Sequence, residues 1–156
     1  QHFETVSLCL SKGLGAPVGS LLISNDQQLM DRARRFRRMY GGAMRQAGIL
    51  AAAGIYALER HVARLRTDHE HAKKLARQLQ HISAIQIAPQ HVETNIVIFD
   101  IVDEHRSPAE LVAALKEHGV LINAIGGHSY RAVTHLHITD KQIDEAADVF
   151  ANVLKR

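Results

Sequence analysis

A single lysine, Lys12, stands between the apolar run Val6 to Leu10 and a loop, Gly13 to Gly19, that holds three glycines in seven residues. A primary amine at the end of a strand, with little side-chain bulk beyond it, can be presented to a carbonyl group. It condenses to a Schiff base once desolvation or a neighbouring cation favours the neutral amine. The same spacing also describes a solvated lysine that closes a strand before a glycine turn, so spacing alone leaves both readings open. Arg131 opens the run Arg-Ala-Val-Thr-His-Leu. Read without context, it is an exposed charge at the start of a strand.

Other reactive residue types point to less. Arg32, Arg34, Arg35, Arg37 and Arg38 place five arginines in seven positions, and such a cluster can neutralise nucleic-acid phosphates. The net charge is only +3, aromatic residues are 4% of the chain, and no helix-turn-helix, zinc or RNA-recognition signature accompanies the cluster. A solvated helix face accounts for it, and no nucleic-acid partner is expected. Among the 11 histidines, His69 and His71 sit two apart on a predicted helix and so do not share a face. His135 and His137 would share one face of a strand, but no third ligand stands at a recognisable spacing, and no metal site is expected. Cys9 is the only cysteine; it cannot form an internal disulfide, which suits a reducing compartment, and it reads as a small buried hydrophobe.

The elements that must position Lys12 and Arg131 follow from periodicity. Phe3 to Leu10 and Val18 to Ser24 read as strands on either side of the glycine loop. Asn25-Asp26 can cap a helix from about Gln27 to Arg38, which Tyr40-Gly41-Gly42 then breaks. From Met44 the apolar positions Ile49, Ala52, Ala53, Tyr56, Ala57, Leu58, Val62, Leu65, His69, Ala72, Leu75, Ala76 and Leu79 recur in steps of three and four. Arg64, Arg66, Glu70, Lys73, Lys74 and Arg77 take the opposite face. One or two long amphipathic helices are predicted, with a break near Arg60-His61, and the small residues between Ala47 and Gly54 allow close backbone packing. Strands at Ile85 to Ile87 and Asn95 to Phe99 come next. A helix opened by Ser107-Pro108-Ala109-Glu110 and ended by Gly119 follows them. Strands at Val120 to Ala124 and Ala132 to Ile138 precede a last helix from about Lys141 to Lys155. This order predicts a small α/β sheet covered on one face.

The 156 residues are 46% hydrophobic and 22% charged and lack tryptophan, as expected of a globular protein with its own core. No apolar run approaches the ~18 residues of a membrane span, and no segment reads as a signal peptide, so a cytoplasmic location with no membrane partner is expected.

The segments Ser7 to Ser20, Gly41 to Leu58, Asp68-His69, Thr94-Asn95, Val120 to Ala124 and Arg131 to Leu136 resemble, in order and over nearly the whole chain, the low-specificity L-threonine aldolases. These are fold-type I enzymes dependent on pyridoxal 5′-phosphate. The resemblance implies that residues 1–45 are the end of a large cofactor-binding domain. It makes 46–82 long connecting helices and 83–156 a small carboxy-terminal α/β domain. Members run to more than twice this length, so a carboxy-terminal fragment is expected, inactive by itself, whose partner is the amino-terminal half of the same enzyme.

The resemblance implies that Lys12 forms the Schiff base with the cofactor, and that Ser11 and the loop glycines keep the strand end open for it. Arg131 would hold the amino-acid carboxylate. Arg45 would reach the cofactor phosphate, across a subunit boundary, with Arg38 a weaker phosphate contact because a lysine often stands there in the family. It implies a homotetramer with active sites at dimer contacts, and cleavage of L-threonine and its allo isomer to glycine and acetaldehyde. The ring-facing acid, the stacking histidine and the base would lie in the other half. Two alternatives stay open at this stage: a pyridoxal-phosphate-dependent β-eliminating amino-acid lyase of the same fold, and a non-catalytic assembly or basic binding module.

Overall fold

The computed structural model describes residues 2–103 and 105–155. Two four-residue strands open the chain: β1 (Val6–Cys9) and β2 (Ser20–Ile23) pair antiparallel, from Val6 opposite Ile23 to Cys9 opposite Ser20. The loop between them folds back on the end of β1. The Leu10 N–H donates to the Gly19 C=O at 2.9 Å, the Ala16 N–H to the Leu10 C=O at 3.0 Å, and the Gly15 N–H to the Lys12 C=O at 2.8 Å. Gly19 adopts φ +116°, a conformation that side chains rarely tolerate, which explains a glycine where the loop re-enters β2.

Helix α1 (Gln27–Met39) begins where the Asp26 carboxylate accepts from the Leu29 N–H at 3.0 Å, the cap expected from the sequence. Helix α2 (Gly48–Arg60) packs through its smallest residues: Gly54 and Ala57 are buried, and a Cβ on Gly54 would stand 3.1 Å from Leu10 Cδ1. The Nδ1–H of His61, just past α2, donates to the Leu14 C=O at 2.6 Å and so braces the loop from outside. The predicted apolar stripe of α2 is buried only in this narrow strip. Ile49 is 83% and Tyr56 59% exposed.

Cys9 is also exposed, contrary to the burial expected of it. A two-stranded sheet leaves side chains uncovered on both faces, and Leu21, Leu22 and Ile23 of β2 share that exposure.

The chain divides into two compact units, Gln1–Ala63 and Arg64–Arg156. The second has the larger core. It contains α3 (Leu65–Leu79), β3 (Ile85–Gln86), a short 3₁₀ turn at Pro89–His91, β4 (Ile96–Ile101), α4 (Pro108–Glu117), β5 (Asn123–Gly126), β6 (Ser129–Val133) and α5 (Asp140–Leu154). The four strands form one antiparallel sheet in the order β3-β4-β6-β5. Strand β4 alternates as a half-buried strand must: Val97, Phe99 and Ile101 are buried, while Ile96 and Ile98 are exposed. Phe99 meets Phe150 of α5 edge-on at 5.5 Å and lies against Tyr130 of β6 at 6.1 Å. Each such ring contributes roughly 1.5–3 kcal/mol through burial.

The caps explain the helix boundaries. Ser107 and Glu110 form a reciprocal capping box with Pro108 at the first helical position, as predicted. Thr139 and Gln142 form a second box that opens α5. The last two strands lie elsewhere than expected. Val120 to Ile122 is unpaired chain with Ile122 buried in the core, and β5 starts at Asn123. Strand β6 runs from Ser129 to Val133 and ends before His135. The cause is a tight hairpin with Gly127-His128 as its turn, where Gly126 at the end of β5 and Gly127 have φ +130° and +55°, which starts β6 earlier than apolar content alone suggests.

Candidate active site

Lys12 owes its position to its neighbours. Leu10, Leu14 and Ala16 are each at most 7% exposed and anchor the loop inward. Three main-chain hydrogen bonds fix its path. Between these anchors Ser11 and Lys12 face outward, and the Lys12 amine has no hydrogen-bond or ion-pair partner among the described residues. The loop therefore holds one unpaired primary amine on a fixed turn. The backbone is preorganised, while the Lys12 side chain stands exposed.

Arg38 lies in the last turn of α1, where a cation complements the helix dipole. Arg45 lies in the turn between α1 and α2, next to Gln46, which adopts φ +52°. Both are exposed and unpaired among the described residues, whereas Arg34 of the same cluster is bound to Asp31 at 2.7 Å. These three candidates belong to the first unit, on three separate elements.

Arg131 belongs to the second unit. It stands in the middle of β6 rather than at a strand start, because the hairpin brings the preceding residues into the sheet. It pairs across the strands with Ile98 of β4 and Asn123 of β5. All three are exposed on the sheet face opposite the core, so the guanidinium rises from a row with an apolar and an amide neighbour. Cross-strand neighbours of this kind lie about 5 Å apart at Cβ. The sequence reading did not find Asn123 beside Arg131. The available signal was the Gly126-Gly127 pair, which sets the β5–β6 register.

His135 and His137 lie in a turn after β6, with ring centroids 5.6 Å apart, not on a strand face. Among the described residues no three histidine, cysteine or acidic side chains gather as a metal site. His71 points inward from α3 and is 8% exposed.

The donor set suits pyridoxal phosphate chemically. In the first unit a free primary amine on a fixed turn can hold an aldehyde and unpaired guanidiniums can donate to a phosphate; in the second, the Arg131 guanidinium can donate to a carboxylate.

A protein-family model described as beta-eliminating lyase matches residues 1–103. The chain belongs to the beta-eliminating lyase family. That match takes in Lys12, Arg38 and Arg45 and stops short of Arg131. The low specificity L-threonine aldolase of Escherichia coli is 46% identical over 94% of this chain, which covers 42% of that relative. The low-specificity L-threonine aldolase 1 of Arabidopsis thaliana is 37% identical over 97% of the chain, again covering 42% of the relative. The chain thus spans less than half the length of the curated relatives it matches.

Solved structures agree in fold at low identity. A Listeria monocytogenes protein assigned as an L-allo-threonine aldolase superposes with TM-score 0.76 at 17% identity, covering 97% of this chain and 45% of that one. A serine palmitoyltransferase of Sphingomonas wittichii gives TM-score 0.73 at 17% identity, over 97% and 40%. The fold is α/β and is that of the fold-type I pyridoxal-phosphate enzymes over the portion present.

Proposed function

We propose that these residues form the carboxy-terminal part of a pyridoxal-phosphate-dependent aldehyde-lyase that cleaves L-threonine and L-allo-threonine to glycine and acetaldehyde. The observation that carries the reading is an unpaired amine, Lys12, fixed on a hydrogen-bonded turn in a beta-eliminating lyase chain 46% identical to an L-threonine aldolase.

Each residue has a task in this reading. The Lys12 amine would hold the cofactor through its aldehyde carbon. Arg45 and, more weakly, Arg38 neutralise the cofactor phosphate. Arg131 binds the substrate carboxylate through two parallel N–H bonds and so limits rotation about the substrate's Cα–N bond, which selects the bond that breaks. When bound, pyridoxal phosphate supplies an electron-withdrawing ring that takes up the electron pair of the broken Cα–Cβ bond. In this reading residues 1–45 complete the large cofactor domain, 46–82 connect it, and 83–156 form the small domain.

The amino-terminal part of the enzyme and a homotetramer with sites at dimer contacts are the expected partners. The exposed Leu21, Leu22, Ile23, Phe36 and Ile49 of the first unit support such partners, because apolar side chains in this number favour cover. Among the described residues no helix is long and apolar enough to cross a membrane, and we place the enzyme in the cytoplasm.

The family description favours one second reading, β-elimination from an amino acid. One assay separates the two. The full-length protein, loaded with pyridoxal phosphate and given L-threonine, should release acetaldehyde and glycine in equal amounts. Pyruvate and ammonia from serine, with no glycine from threonine, would assign elimination instead.

A further inference from the structure

Three short segments that stand out in the sequence, Asp68-His69, Thr94-Asn95 and Arg131 to Leu136, supply only Arg131 to the reaction proposed above. In the second unit all three meet at Thr134. Its Oγ1–H donates to the Asp68 C=O at 2.6 Å and its N–H to the Asn95 C=O at 3.0 Å, while the Asn95 Nδ2–H donates to the Thr134 C=O at 2.8 Å. Asn95 immediately precedes β4 and Thr134 immediately follows β6. Their reciprocal bonds therefore close the β4–β6 ladder one pair beyond Ile96 and Val133. The threonine hydroxyl ties that closed end to the first turn of α3.

This junction is built at some cost. Thr134 is 2% exposed and Asp68 0%. The Asp68 carboxylate pairs with Arg64 through one oxygen, and its Oδ1 has no hydrogen-bond partner among the described residues, nor does Arg64 Nε. Burying a carboxylate with so few partners gives little net stability, and apolar residues of similar volume commonly serve a core as well. A role in geometry is therefore the better account. The geometry in question is that of β6. Side chains alternate along a strand, so a slip of one residue would turn Arg131 from the open face into the core. Thr134 stands three residues from Arg131, at the end of β6 where the ladder could fray.

We propose that Thr134, with Asn95 and the main chain of Asp68, is a positioning residue for Arg131: the hydroxyl lock fixes the register and height of β6 and thereby where the guanidinium meets a carboxylate. The proposal rests on the reading of Arg131 as the carboxylate anchor.

The test uses the full-length holoenzyme and compares Thr134→Val, which keeps the shape and loses the hydroxyl, with Thr134→Ser, which keeps the hydroxyl. Asn95→Asp is a second way to break the lock should the valine variant fail to fold. Binding is measured for glycine, which carries a carboxylate, and for methylamine, which does not. KM and kcat for L-threonine and the melting temperature are recorded beside them. A displacement of a full ångström at a binding group can cost a hundredfold, so a partial displacement should weaken glycine binding and raise KM about tenfold. Methylamine binding should hold, and serine should restore the wild-type values.

Equal weakening of glycine and methylamine, or a lower melting temperature with KM unchanged, would reduce the junction to a structural one and overturn the proposal. Arg131→Lys is the control for the underlying reading. If it leaves glycine binding intact, the carboxylate anchor itself is wrong. If it weakens glycine binding while Thr134→Val does not, only the positioning role fails.

Discussion

Arg131 shows most clearly how a residue gains meaning from its row. In the sequence it opens an apolar run. In the sheet it stands between Ile98 and Asn123 on the face away from the core, where, in the proposed role, an apolar neighbour would limit the water that competes with a carboxylate. A hydrogen bond to a charged group contributes about 1.5–3 kcal/mol, so Arg131→Lys, which loses the bidentate grip, should raise KM for L-threonine roughly tenfold to a hundredfold in the full-length enzyme. Steady-state kinetics read this directly, and an unchanged KM would remove Arg131 from the site. The turn that carries Lys12 was legible in the sequence because its three glycines in seven residues are unusual. Leu10, Leu14 and Ala16 supply what the sequence could not display, namely the inward anchors that leave the lysine on the outside. Cys9 misled because an apolar neighbourhood implies burial only where a second layer covers the strand.

At the scale of elements, boundaries with a chemical cause were readable and those set by pairing were not. Asp26 before α1 and the Ser107–Glu110 box before α4 are local devices, complete within four residues, and both stand where the sequence puts them. Glu110 accepts from the Ser107 hydroxyl and N–H, both at 2.7 Å, and these bonds hold its carboxyl below the usual range. Ser107 Oγ in turn accepts from the Glu110 N–H as the helix cap, and Ser107→Ala, which loses that cap, should lower stability by about 1 kcal/mol, measured as a shift in denaturant midpoint with an unchanged slope. An unchanged midpoint would show that α4 is held by packing alone. The β5–β6 hairpin went unread because its signal is conformational. Gly126 and Gly127 supply two positive-φ positions, and apolar counting, which favoured Val120 to Ile122 as strand, does not register them. The same hairpin carries Asn123 into place beside Arg131, so a missed turn became a missed neighbour.

At the scale of the whole molecule the two units differ in how completely they are covered. The second encloses Phe99, Tyr130 and Phe150 in one core, whereas the first exposes Leu21, Leu22, Ile23 and Ile49. Composition could not separate them, since apolar residues are plentiful in both and only the number of packed layers decides which are buried. The second unit also carries its pH dependence. Main-chain and Arg106 hydrogen bonds lower the Asp103 pKa, and Lys74 and Gln78 lower that of Asp144. Carboxyls lowered in this way stabilise the fold above the ordinary carboxylate range, and that contribution disappears as pH falls through their lowered values.

Lys74, raised by Asp140 and Asp144, stabilises the fold below the ordinary lysine range and ceases to do so only as pH rises through its raised value. Melting temperature should thus be flat near neutrality and fall in acid, and Asp103→Asn should blunt the acid slope; an identical slope in that variant would contradict the assignment. The central claim concerns one amine in the first unit. Borohydride reduction of the full-length protein loaded with pyridoxal phosphate, followed by peptide mass mapping, should place the pyridoxyl adduct on Lys12, and an adduct on any other lysine with Lys12 unmodified would contradict it.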